Sequence, residues 1–222
     1  MQFNISKLIL NPIEKIEYEK LLEENKDDLL ENLKKSKNDI IAMSDLAVSV
    51  IQHAECQTNH TVKWKSIIKI WNVSGYILLA TLDLKTYLEI LCTLSDNLQR
   101  ITVARNVFTQ LYEISRDLDF LTNVKFTNEM EKMKLGDLKN ELYEKRKNLK
   151  KLAKDYEKEL KDIRINVGAH RNNNYKDFHQ YICNLEYTSC IRLICLFGTA
   201  IDDLASTIQK IMVRSTQVIV NL

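Results

Sequence analysis

Apolar residues recur along most of the chain at spacings of three and four, the period of an amphipathic helix. Asn11-Pro12-Ile13-Glu14 has the signature of a helix start. Asn11 can cap, Pro12 suits the first helical position, and Glu14 can close a capping box. The pattern predicts a first helix from there to about Lys35, with Ile13, Ile16, Leu21, Leu22, Leu29 and Leu33 only loosely periodic. Ser36 or Asn38 can cap a second helix carrying Ile40, Ile41, Met43, Leu46, Ala47, Val50, Ile51 and Ala54 at clean 3–4 spacing. The polar stretch 57–61 reads as a turn. A third helical pattern begins near Val62 and continues to about Arg116, with a break expected near Leu82-Asp83.

Residues 117–127 mix polar and apolar positions and read as a connection, with Asn128 starting the next helix. Residues 129–164 form a charged helix with a stripe through Met133, Leu138, Leu142, Leu149, Leu152, Tyr156, Leu160 and Ile163. Glu141–Lys145 and Glu157–Lys161 are spaced to pair along it. A last helix is expected from near Asp177 to beyond Met212. Its segment from Ile191 to Leu204 is the most apolar in the chain and is expected at the centre of the core. The expected architecture is all-α, an up-and-down bundle of long helices forming a single helical domain over 1–222.

Composition supports the helical reading. Four glycines and one proline in 222 residues are too few for a fold with many tight turns. A formal charge of +2 gives no whole-molecule attraction to nucleic acid, yet leaves room for a local basic patch. The five cysteines, Cys56, Cys92, Cys183, Cys190 and Cys195, are scattered without a CxxC pair, which fits reduced thiols and a cytoplasmic setting. No signal peptide and no membrane span is expected. P-loop, GxGxxG, HExxH and GxSxG motifs are absent, so neither metal nor cofactor is expected. His53 and His60 lie seven apart across the expected turn, and a helical break there separates them. The adjacent pair Asp202-Asp203 points in two directions on a helix and is not read as a metal site. Trp64 and Trp71 are read as core.

The stretch 160–183, LKDIRINVGAHRNNNYKDFHQYIC, concentrates the chemistry. Asn166 and His170 are four apart and share a face on a continuous helix, as do Arg164 and Arg171 at seven. Arg164 and His170, six apart, are separated by roughly 120° on a straight helix. They converge if the chain bends at Gly168 or if a second copy completes the site. An imidazole can move protons near neutral pH, and a guanidinium can hold a phosphate. Those roles suit metal-independent RNA cleavage by the ribose 2′-hydroxyl. The structural alternative is that Arg164 pairs with Glu159 or Asp162 while His170 caps a helix end.

The segment IRINVGAHR, late in a helical chain and ahead of a last apolar helix, resembles the R-x(4–6)-H signature of the HEPN superfamily. The resemblance covers about 25 residues. It implies an all-helical core, placed at 62–213 with an N-terminal helical extension at 12–56. It also implies a homodimer whose motifs meet across the interface, acting on RNA, with His170 as acid/base, Arg164 as phosphate-stabilising group and Asn166 as the residue that positions them. Arg171 and Lys161 would contact RNA. The setting implied is the toxin of a toxin–antitoxin or abortive-infection system, with an antitoxin partner. In the commonest form the arginine directly precedes the polar residue; here Ile165 intervenes, which turns Arg164 by ~100° on a helix. Members without catalysis act as RNA-binding or partner-binding modules, the alternative function for this chain.

Overall fold

The computed structural model describes residues 8, 10–57, 62–165 and 186–220. Among these the chain is an all-α bundle of long helices, and no strand occurs. The helices are α1 (Pro12–Glu24), α2 (Lys26–Gln57), α3 (Val62–Thr93), α4 (Asn97–Leu121), α5 (Val124–Lys132), α6 (Lys139–Ile163) and α7 (Tyr187–Val220), with a 3₁₀ turn at Gly136–Leu138 before α6.

The start of α1 forms as the local sequence dictates. The Asn11 side chain accepts from the Glu14 amide at 2.9 Å, and the Glu14 carboxylate accepts from the Asn11 amide at 3.2 Å. The end of α1 differs from the expectation. The helix stops at Asn25, whose side-chain amide donates to the Leu21 carbonyl at 2.8 Å, and α2 then runs without a break through Ser36 and Asn38. Leu33, Ile40, Ala47 and Ala54, each seven apart, are buried. That stripe rests on α3 and holds α2 helical past two residues that could have capped a new helix. Leu33, Ala47 and Ala54 belong to the same core as the later helices.

No break occurs at Leu82-Asp83 either. Thr81 and Leu84 are buried on one side of α3, and the helix continues until Thr93. Asp96 caps α4 instead, its carboxylate accepting from the Gln99 amide at 2.8 Å. α3 is long and apolar enough to cross a membrane by length and composition, a test that a buried core helix also passes. Half of its most apolar window is buried, and it packs against α2, α4, α5 and α7. Trp71 is buried as expected and donates from Nε1 to Ser215 Oγ on α7 at 3.1 Å.

The expected connection at 117–127 is mostly helix. α4 continues to Leu121 and α5 begins at Val124, after Asn123 accepts from the Lys125 amide at 2.8 Å. The expected single helix over 129–164 is divided. α5 ends at Lys132, and Lys134 takes a left-handed backbone at φ 59°. Local charge pattern does not reveal this corner. It is enforced by the burial of Met130, Met133, Leu135 and Leu138, which a straight helix could not bring to one core.

α5 is also fixed by a buried ion cluster. Glu129 accepts from Ser66 Oγ at 2.7 Å, Lys69 Nζ at 2.7 Å and Lys132 Nζ at 3.0 Å. Burial alone would raise its pKa, but the bonds from Lys69, Ser66 and Lys132 outweigh it and hold the carboxyl at about 2, below an ordinary 4.5. Its ionised form therefore stabilises the fold. The contribution is present above about pH 4.5 and is lost as pH falls through 2. Glu129→Gln is expected to cost on the order of 2–3 kcal/mol near neutrality, a gap that narrows below about pH 4.5 and closes near pH 2; urea unfolding midpoints of both proteins across pH 2–7 would measure it.

α7 packs against α3, α4 and α6, so it is the central element the sequence pointed to. Cys190, Ile191, Leu193, Ile194, Phe197, Ile201 and Leu204 are buried. The expected start of this helix near Asp177 lies outside the described residues.

Candidate functional site

Arg164 lies at the C-terminal end of α6, where the helix passes into a π-helical turn at Arg164 and Ile165. Its Nε donates to Glu113 Oε1 on α4. Its guanidinium also lies over the Tyr112 ring, 5.5 Å from the centroid. The structural alternative from sequence named Glu159 or Asp162 as the partner; the carboxylate that the Arg164 Nε meets comes from another helix, and Glu159 is buried on α6. Glu113 and Tyr112 carried no sequence signal. They are 51 and 52 positions before Arg164, and only the packing of α4 on α6 joins them.

Lys161 is exposed one turn before Arg164. Asn166, Gly168, His170 and Arg171 lie outside the described residues, as do His60 and Cys183. The structure thus places the first part of the candidate motif and its support.

Beside this support, α4 and α6 enclose a cleft of about 600 Å³. Tyr112, Ser115, Ala153 and Leu160 line it, together with the cations Arg116, Lys150 and Lys154 and the acids Asp117 and Glu157. Arg116 approaches the same Tyr112 ring at 5.7 Å, so two guanidiniums converge on one aromatic face system. Asp117 accepts from the Tyr76 hydroxyl at 2.7 Å; burial first, and this bond second, push the Tyr76 phenol well above its usual range. Tyr76 is therefore a neutral donor at physiological pH.

Other sequence features resolve into structure. Asp202 meets Lys85 of α3 at 3.2 Å and Asp203 meets Lys145 of α6 at 3.0 Å, so the acidic pair does diverge. The expected Glu141–Lys145 support along α6 is redirected. Glu141 bonds Lys210 at 2.6 Å and Thr207 at 3.0 Å on α7, while Lys145 goes to Asp203. His53 packs edge-on to Trp64 with ring centroids 5.6 Å apart. Among the described residues no group of three or more His, Cys, Asp or Glu side chains could hold a metal ion. Cys56, Cys92, Cys190 and Cys195 are free thiols. Burial pushes Cys92 up to about 11 and Cys190 well above the ordinary range, so neither is poised as a nucleophile at neutral pH. Compared with protein-family models, with curated proteins and with solved structures, the chain matches none.

Proposed function

We propose that the chain is a HEPN-like, metal-independent endoribonuclease, acting as a homodimer in a toxin–antitoxin or abortive-infection setting. The observation that carries the reading is the placement of Arg164. Its guanidinium is held at the end of a core helix by a carboxylate and an aromatic ring from α4, beside a cleft lined by three cations and two carboxylates. A fixed guanidinium is what stabilisation of a phosphorane requires. His170 acts as the acid/base and Asn166 as the positioning group in this reading.

A specific observation favours a second reading. The charge of Arg164 is already matched by Glu113, as expected of an arginine with a structural task in a non-catalytic RNA-binding or partner-binding module. One assay separates the two. Purified wild type and His170→Ala are incubated with RNA in the presence of a metal chelator. Cleavage by wild type and none by the variant supports the nuclease; intact RNA in both leaves the binding module.

A further inference from the structure

The outward side of α6 carries a pattern that reaches well beyond Lys161, the one lysine of α6 already assigned to RNA. Lys147, Lys151, Lys154, Lys158 and Lys161 are spaced 4-3-4-3 and all five are exposed. At ~100° per residue they fall within about 40° of one line along the helix. Leu142, Leu149 and Leu160, buried against the core, lie on the opposite side. The acids of this part of α6, Glu144, Asp155, Glu157, Asp162 and the buried Glu159, fall outside that sector at the same periodicity. The result is a lysine ridge about 21 Å long, at 1.5 Å per residue, in a chain whose formal charge is only +2. Tyr143, 59% exposed, extends the ridge by one turn at its N-terminal end. At its other end the next step along the helix is the Arg164–Ile165 turn.

We infer that this ridge binds the phosphodiester backbone of single-stranded RNA and leads the strand toward Arg164. Charge complementarity carries the assignment: a straight row of like charges with no acid among them matches a polyanion of regular charge spacing. An exposed aromatic ring at the end of such a row offers a stacking face to an unpaired base. An anionic membrane surface fits less well. A helix lying on a membrane inserts its apolar face, and the apolar face of α6 is occupied by α4 and α7. The choice of RNA as the polyanion rests on the function proposed above, whereas the ridge itself does not need catalysis.

The test measures binding of a fluorescent, unstructured RNA of about 20 nucleotides to the full chain carrying His170→Ala, which keeps the RNA intact, between about 50 and 200 mM salt. Lys151→Gln, Lys154→Gln and Lys158→Gln are added together; a control adds Lys20→Gln, Lys34→Gln and Lys35→Gln on exposed positions of α1 and α2. The ridge variant is expected to bind at least tenfold more weakly at the lower salt. Its log–log salt slope should be shallower by about 2, at roughly 0.7 for each phosphate no longer neutralised, while the control stays within about twofold. Equal losses in both variants, or none in either, would overturn the inference. So would loss of binding to phosphatidylserine-containing vesicles in place of RNA. Failure of the ridge remains distinct from failure of the nuclease. RNA left intact by the wild-type chain with ridge-dependent binding removes only the nuclease; cleavage by a ridge variant with unchanged KM removes only the ridge.

Discussion

Arg164→Ala is expected to lower RNA cleavage by about 10²–10³-fold, the range seen when one fixed donor to a developing oxyanion is removed. The expected structural cost is much smaller. The Arg164–Glu113 pair has side chains about one-third exposed, 30% and 33%, and such pairs contribute on the order of 1 kcal/mol or less. A melting temperature that moves by only a few degrees, with cleavage gone, therefore locates the loss in chemistry. Arg164→Lys keeps the charge but not the planar fork that can grip two phosphate oxygens, and should recover only a minor part of the rate. Single-turnover cleavage together with thermal unfolding measures both quantities on the same samples. If Arg164→Ala cleaves like wild type, the arginine is a structural partner of Glu113 and the binding-module reading replaces the nuclease.

The largest expected effect on stability is at Phe197. Its side chain is fully buried in the middle of α7, with its ring 6.3 Å from that of Tyr156 on α6 and tilted by 56°. Phe197→Ala removes that ring and leaves a cavity that helices packed on several sides cannot collapse to fill. The expected cost is about 3–5 kcal/mol, or roughly 10 °C in melting temperature for a chain of this size. Leu196 is the control. It is the preceding residue yet 41% exposed, and Leu196→Ala should stay within about 0.5 kcal/mol. Equal costs at the two positions would mean that α7 is rotated from the orientation described.

Features that depend on neighbours in sequence were legible before any coordinates. The capping box at Asn11 is made by groups three residues apart, so its residues sufficed. The divergence of Asp202 and Asp203 follows from helical periodicity alone, and so does the buried face of α7. Element boundaries were less legible, because capping residues are permitted inside helices wherever packing outweighs them. Ser36 and Asn38 sit in mid-helix since the Leu33 and Ile40 stripe on α3 runs past them. The corner at Lys134 is the converse case: buried residues on both sides of it forced a turn whose left-handed residue is a lysine, with Gly136 two positions further on.

By itself the chain determined its fold class, because four glycines, one proline and a persistent 3–4 periodicity leave few alternatives to helices. It also singled out the stretch that holds Arg164. Only the tertiary structure decided what Arg164 touches. Its partners Glu113 and Tyr112 are brought to it by the packing of α4 on α6, an interaction between segments some fifty residues apart. Short-range pattern fixes which face of a helix is buried. Which distant side chain meets that face depends on how whole helices pair, and that is set by the shapes of the surfaces they bury together.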